Sequence, residues 1–515
     1  MARIDPSHTE PGHGAVVSGA PRVVDEAANA TPGSRIASPP IDRAETLALL
    51  AISLGAALLR AYRLDAADLW LDEANTVLVT SQPLGAMLAE LRATDVHPPL
   101  FYLLVGVTLQ LSWSELGLRA LPYLFGVIAI PLVWLVARDL AGRWAGLTAA
   151  ALAAVWAPLV AFSQEGRMYS LLAALELTAA WALIRALEGG GRRWWVAFTL
   201  CSTLALYTHN LAGLFLAAHV LAALWVTRRW RAPFVAGLVA GLLYLPWVPS
   251  ALTQLVELSG DDGWLGPQTP LWIPALTLVN LLAGTELRHG LLSPRFVMQH
   301  AYLLAPACVL LFLGWRRLRA RPVARRVFLG TALLPVLITL ALSQITRIYV
   351  DKTFLVAALV MIVIAAAAAP RRPRRVEGLA ILAAVLLLGA AQLWLVTANW
   401  STPHETYRAL VVNLSAARRE GDLVVVTPPF IDRPLTYASR RLGVNLNPRE
   451  VAVEDLEATF QGDAARVWIV TSGVWDPFEA ADSVAEIAPR GAYQAIWQRY
   501  YPDRGLRLVL FERRG

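Results

Sequence analysis

One pattern recurs along most of the chain: an apolar stretch near bilayer length, then a short polar link. Such stretches fall at 45–62, 119–137, 144–161, 170–187, 194–209, 211–227, 233–250, 296–314, 327–343, 354–369 and 377–397. A helix needs about 20 apolar residues to cross the hydrocarbon core, so each stretch is a candidate span. With 57% of 515 residues hydrophobic, a soluble enzyme and a single-anchor protein are both excluded. The links alternate in character. Arg138/Arg143, Arg192/Arg193, Arg228/Arg229/Arg231, Arg316 to Arg326 and Arg371 to Arg375 form basic links, and the others carry acids, histidines and aromatics. Basic links face the cytoplasm by the positive-inside rule. The net charge of +7 belongs to these arginines and does not suggest nucleic acid. Cys201 and Cys308 both fall in apolar stretches, which leaves neither a disulfide framework nor a cysteine metal cluster.

Two shorter apolar runs break the rhythm, Leu100 to Leu111 behind Pro98-Pro99, and Leu271 to Ala283. Had the first crossed, every later basic link would face outward, so both are expected at the interface or as re-entrant pieces. Ser114 to Arg119 reads as a capped helix start. Residues 1–44, rich in Pro, Gly, Ala and Ser, read as a disordered cytoplasmic tail with no cleaved signal peptide. Beyond Trp400 the spans stop. Residues 423–427, 467–471 and 506–511 read as strands, and 405–420 and 478–487 as helices. No glycine-rich phosphate loop interrupts them. The expected fold class is a polytopic all-α membrane protein with about 11 transmembrane helices plus interfacial helices. The expected organisation is a tail at 1–44, a transmembrane region at 45–397 and a small extracytoplasmic α/β domain at 398–515.

Polar residues at the extracytoplasmic ends carry the chemical signal, whereas the cytoplasmic ends read as almost wholly arginine. Leu69-Trp70-Leu71-Asp72-Glu73-Ala74-Asn75 follows the first span. Adjacent carboxylates beside a bilayer are costly unless they meet water, a cation or a substrate. One of the two, Asp72 or Glu73, suits a general base; the plain alternative is a solvated loop or a helix cap. His97-Pro98-Pro99-Leu100 starts a helix without wasted N–H groups, and His97 suits a phosphate or a metal. In Ser163-Gln164-Glu165-Gly166-Arg167-Met168-Tyr169, Glu165 and Arg167 could hold each other, a metal or a sugar phosphate. His209 could join Asp72, Glu165 and His97 in a mixed N/O cation site, although a lone histidine is more often structural. Arg347, Tyr349 and Lys352, the sole lysine, suit a lipid phosphate.

With those residues together, the chain resembles the GT-C superfamily of membrane glycosyltransferases. The nearest likeness is to protein O-mannosyltransferases, lipid A aminoarabinose transferases and rhizobial lipopolysaccharide glycosyltransferases, a glycosyltransferase family 39-like group. The likeness rests on Asp72-Glu73, His97-Pro98-Pro99-Leu100, Ser114-Glu115 with Arg119, the Ser163–Tyr169 motif and Tyr207-Thr208-His209, over roughly residues 45–250. It implies transfer of a sugar from a polyprenyl-phosphate donor to a glycan, lipid or protein acceptor in a bacterial cell membrane. It implies Asp72 as base, with Glu73 second, and Glu165 and Arg167 near the donor phosphate; the residue reading adds His97, Tyr169, Arg347 and Lys352 as substrate contacts. Some relatives carry an aspartate in that second loop, where this chain has Glu165, and relatives differ in metal use; a divalent cation (Mg, Mn or Zn) on Asp72, Glu165 and His209 is the one cofactor weighed. Rival readings are a lipid or glycan transporter or flippase, for which Glu176, His219 and Asn280 are midplane candidates, and a polysaccharide polymerase or ligase.

Overall fold

A computed structural model of the chain describes residues 40–93, 95–227, 230–258, 269–283, 294–346, 348–369, 375–399, 407–472, 492–501 and 506–514. The helical part opens with α1 (Arg43–Ala61), whose N-cap Asp42 accepts from Glu45 N at 2.7 Å. Then come α2 (Leu71–Thr80), α3 (Leu84–Ala93) and α4 (Leu100–Leu111). Next are α5 (Glu115–Ala141), α6 (Arg143–Val155), α7 (Ala157–Ser163), α8 (Tyr169–Leu187), α9 (Arg192–Thr208) and α10 (Ala212–Val226). The series continues with α11 (Arg231–Tyr244), α12 (Val248–Leu258), α13 (Ile273–Ala283), α14 (Pro294–Arg317), α15 (Pro322–Thr346), α16 (Leu355–Ala366) and α17 (Arg375–Asn399). A helix falls on each expected span. Among the described residues, six helices qualify as crossings by length and composition, or seven if α6 and α7 are one span bent by 59°. The short runs are α4 and α13, and Ser114 caps α5 through Gly117 N at 3.3 Å, as the sequence suggests.

The break between α6 and α7 positions the loop that follows. Breaking a helix inside a membrane leaves carbonyls that need donors. Arg60, wholly buried, supplies them to Ala153 O (2.9 Å) and Ala154 O (2.7 Å). Gln392 of α17 accepts from Ala157 N at 2.9 Å and donates to Leu282 O at 2.6 Å, tying α7 to α13. The centre of the bundle is α16, apolar on every side and buried along its whole length, as a helix without a solvent or lipid face must be. Gly314 of α14 lets the two backbones meet, since a Cβ there would sit 1.7 Å from Ile364 O.

The arginine-rich ends are less one-sided than expected. Glu45, Asp139, Glu188 and Glu377 share that end, and each meets an arginine: Arg138–Glu45 at 2.7 Å, Arg185–Asp139 at 3.1 Å, Arg321–Glu188 at 3.7 Å and Arg317–Glu377 at 2.6 Å. The acids there neutralise part of the arginine charge, which the loop count alone overlooked.

After α17 the chain forms α18 (Tyr407–Ala417), β1 (Leu423–Thr427), α19 (Asp432–Arg441), β2 (Arg449–Glu450), β3 (Arg466–Ser472), β4 (Tyr493–Tyr501) and β5 (Leu506–Arg513). The sheet order is β2-β1-β3-β5-β4; β1 runs parallel to β2 and β3, and β5 antiparallel to β3 and β4. Strand alternation gives the sheet two apolar faces. Val424, Val426, Trp468 and Val470 pack with α18 and α19, and Val425, Val467 and Ile469 pack on the other side with Phe460. The three expected strands and the first helix are present, and the helix expected at 478–487 lies outside the described residues. Sequence reading missed α19, whose apolar stripe is short and whose C-terminal end is arginine, and β4, an edge strand exposed along most of its length.

Candidate active site

The first turn of α2 carries Asp72 and Glu73, where the helix dipole favours negative charge. The two diverge at once. Glu73 turns inward, its side chain 2% exposed, into a bidentate pair with Arg119 at 2.9 and 2.7 Å. Gly166 N also donates to its Oε1 at 2.6 Å. That contact requires glycine, because a Cβ at residue 166 would lie 2.5 Å from the Leu118 side chain and 3.1 Å from Glu73 Oε1. Asp72 turns outward, its side chain 37% exposed, with Arg167 Nε 3.9 Å from Oδ2.

Arg167 is the hub. Buried, it donates to Thr76 Oγ1 at 2.8 Å and to the Asp72 carbonyl at 3.3 Å, and Nη2 lies 3.3 Å from His97 Nδ1. Burial works against its charge, but Tyr102, Asp72, Tyr169 and Asp95 hold its pKa above the ordinary value. His97 is oriented by Asp95, whose Oδ1 accepts from His97 N at 2.9 Å and lies 3.0 Å from Nδ1. Asp95 Oδ2 accepts from Tyr102 at 2.7 Å. Burial alone would raise the Asp95 carboxyl, but His97, Arg167 and Tyr102 outweigh it and bring it to about 2. Burial, then the charge of Arg167, lowers His97 against the pull of Asp95.

His209 meets His97 edge to face, with ring centroids 5.1 Å apart, and lies 6.3 Å from the Tyr169 ring. Its Nδ1 accepts from Leu211 N at 3.1 Å. Burial, then His97, Arg167 and Lys352, keeps its pKa well below the ordinary value, so it is neutral. Lys352 completes the group. Its Nζ is 3.7 Å from Glu165 Oε1 and sits over the rings of Trp70 (4.6 Å) and Tyr169 (5.3 Å). Burial opposes its charge, but Tyr169, Glu165 and Asp72 raise its pKa above the ordinary lysine value. Beside it, burial pushes Asp351 up to about 6 against the pull of Lys352.

The structure therefore joins Asp72, His97, Arg167, Tyr169 and His209 in one network, and Lys352 with Glu165 beside it. Arg347 lies outside the described residues. Glu165 and Arg167, two residues apart, do not hold each other: Arg167 turns to Asp72, Thr76 and His97, and Glu165 to Lys352. The ligand set Asp72, Glu165 and His209 is corrected as well. Among the described residues no group of three His, Cys, Asp or Glu side chains is arranged to hold a metal. The physical reason is that protein cations already face both carboxylates, and the His209 Nδ1 lone pair is taken by Leu211 N–H. These residues do not fit a divalent cation. Sequence reading missed Asp95, although it stands two residues before His97 in the same link. It also missed Arg119 as the partner of Glu73, 46 positions away.

Residues 96–251 match the family model described as dolichyl-phosphate-mannose-protein mannosyltransferase. ArnT from Cupriavidus metallidurans, solved in the apo state, is similar in structure with a TM-score of 0.58 at 14% identity, covering 90% of this chain and 97% of that one. The same protein bound to undecaprenyl phosphate gives 0.55 at 14%, covering 91% and 98%. The archaeal oligosaccharyltransferase AglB from Archaeoglobus fulgidus, in complex with an inhibitory peptide and a dolichol-phosphate, gives 0.55 at 12%, covering 90% and 74%. No curated protein sequence matches the chain. The class these findings define is the GT-C membrane glycosyltransferase fold. The chain is a multi-helix membrane protein with that fold and with a small C-terminal sheet, and its matched segment carries His97, Glu165, Arg167 and His209.

Proposed function

We propose that the protein is an inverting glycosyltransferase that moves a sugar from a polyprenyl-phosphate donor to an acceptor hydroxyl or amine, with Asp72 as general base. The observation that carries this reading is the contrast at α2: Asp72 is open to solvent with a buried guanidinium behind it, whereas its neighbour Glu73 is closed off. A base needs access to an acceptor proton and a defined position. The acceptor oxygen or nitrogen attacks the anomeric carbon opposite the phosphate. The bond from that carbon to the phosphate oxygen breaks, and the lipid phosphate leaves with the electron pair. Asp72 takes the acceptor's proton, and the anomeric configuration inverts. Arg167 and Lys352, held charged and in place before the reaction, stabilise the charge growing on the leaving phosphate. Glu73 serves by holding Arg119 and Gly166, which keeps α2 against the 165–167 loop. No step is routed through a metal.

In this reading the helices α1, α5, α6–α7, α8, α9, α10, α11, α14, α15, α16 and α17 are eleven crossings. The arginine-rich links face the cytoplasm along with the 1–44 tail, and Asp72 and the 398–515 domain face outward. The lipid carriers bound by ArnT and AglB support a polyprenyl-phosphate donor here.

Membranes containing the protein, incubated with radiolabelled polyprenyl-phosphate sugars, should transfer label to a lipid, glycan or protein fraction. Membranes lacking it should not. Label that crosses the bilayer while still on its carrier would instead mark a transporter.

A further inference from the structure

From the contacts of the C-terminal sheet region with the helical part, we infer that this region is a clamp on the Asp72 loop, with Arg408 as its principal positioning residue. The inference rests on the proposed role of Asp72. Three acidic residues around that loop each meet an arginine from the C-terminal region. Asp68, four residues before Asp72, accepts from Arg408 N at 2.9 Å through Oδ2 and from the Arg408 guanidinium through Oδ1. Glu115, at the start of α5, lies 3.4 Å from Arg408 Nη2 and 3.6 Å from Arg441 Nε. Glu90 of α3 is 3.1 Å from Arg433 Nη2. Asp68 and Glu115 are shielded, with side chains 12% and 5% exposed. Shielded carboxylates are expensive unless a cation reaches them, so these arginines are more than surface decoration.

Two arginines hold the loop. Arg119, the partner of Glu73, donates to the carbonyls of Leu64 (2.9 Å) and Ala67 (3.0 Å). Arg408 takes the Asp68 side chain. An aromatic contact fixes the far end of α2: Trp113 Nε1 donates to Ser81 at 2.9 Å, and its ring lies 5.1 Å from that of the buried Tyr437 on α19. The turn before Asp72, the helix carrying it and the start of α5 are thus all held by α18 and α19. Burial raises the Asp68 carboxyl, and Arg408 opposes that rise. A base misplaced by about an ångström loses roughly 100-fold in rate, so a contact that never touches substrate can govern turnover.

The test uses the full chain in lipid nanodiscs, with hydrogen–deuterium exchange of residues 64–76 read alongside transfer kinetics. In Arg408→Gln, exchange at 64–76 should rise at least tenfold. Its kcat should fall roughly 10- to 100-fold with the donor KM unchanged. Asp68→Asn should loosen the loop in the same direction, and the double variant should be no worse than Arg408→Gln, which already removes the Asp68 contact along with the one to Glu115. Arg418→Gln is the control: its guanidinium donates to the Asn445 and Leu446 carbonyls within the C-terminal region, and it should leave the 64–76 exchange and kcat unchanged. The clamp is refuted if Arg408→Gln leaves the loop's exchange unaltered, if the loop loosens without loss of kcat, or if Arg418→Gln does the same damage. Should the wild type transfer no sugar, the transferase reading fails, and the exchange data alone then decide whether Arg408 holds the loop.

Discussion

Asp72 and Glu73 are neighbours in sequence, yet the two sides of α2 they occupy differ in nearly every physical respect. On one side, Glu73 has both oxygens engaged by Arg119 and a third donor at Gly166, with water excluded. On the other, Asp72 keeps a longer contact to Arg167 and more than a third of its side chain exposed. A closed pair holds elements together and has no capacity left for a substrate. An open carboxylate backed by a buried cation keeps its place and a route to an incoming proton. Carboxylates of similar chemistry are divided between structure and reaction by which arginine each one meets.

The comparison can be broken most forcefully at Glu73. Glu73→Gln leaves the Arg119 charge buried without its counter-ion, which should cost roughly 3–5 kcal/mol of stability, read by thermal unfolding in detergent. If Glu73→Gln unfolds like the wild type, the closed side is not structural. Lys352→Met should lower kcat by roughly 100- to 1,000-fold while the folded yield persists, since it removes a preorganised cation. Unchanged turnover there would remove Lys352 from the leaving-group side. Asp95→Asn, which loosens His97 beneath Arg167, should cost about 10- to 100-fold in kcat; steady-state kinetics with a fixed acceptor would show it.

The smallest effect is in pH dependence. Asp351 sits at about 6 against an ordinary 3.8. A raised acid favours the fold when protonated, so its contribution is complete below 3.8 and lost as pH rises through about 6. Asp95, at about 2, has the opposite sign: its contribution is present above 3.8 and lost as pH falls through about 2. Unfolding measured from acid to neutral pH should therefore show a decline across the Asp351 range that disappears in Asp351→Asn.

Much of this was legible in the sequence, for reasons that can be stated. Spans are read from length and hydropathy alone, and α4 and α13 were recognisable as too short. Asp72, Arg167 and Lys352 stood out because charge beside a bilayer is rarely idle. Partner choice was not legible. The local motif left Glu165 and Arg167 free to hold each other, a metal or a sugar phosphate, but in the fold they meet Lys352 and Thr76, far away in sequence. Glu73 could not be separated from Asp72, because the deciding residue, Arg119, lies on another helix. In the same way α19 looks too polar for a packed helix until its apolar stripe, Leu435 and Ala438, is seen against the sheet and α18.

The most direct test is Asp72→Asn in purified, lipid-embedded protein, with single-turnover sugar transfer and retention of labelled donor lipid followed together. The account predicts that transfer falls by roughly 100- to 10,000-fold while donor retention and the unfolding temperature stay at wild-type values. Transfer that continues at the wild-type rate, with the donor still held, would contradict it.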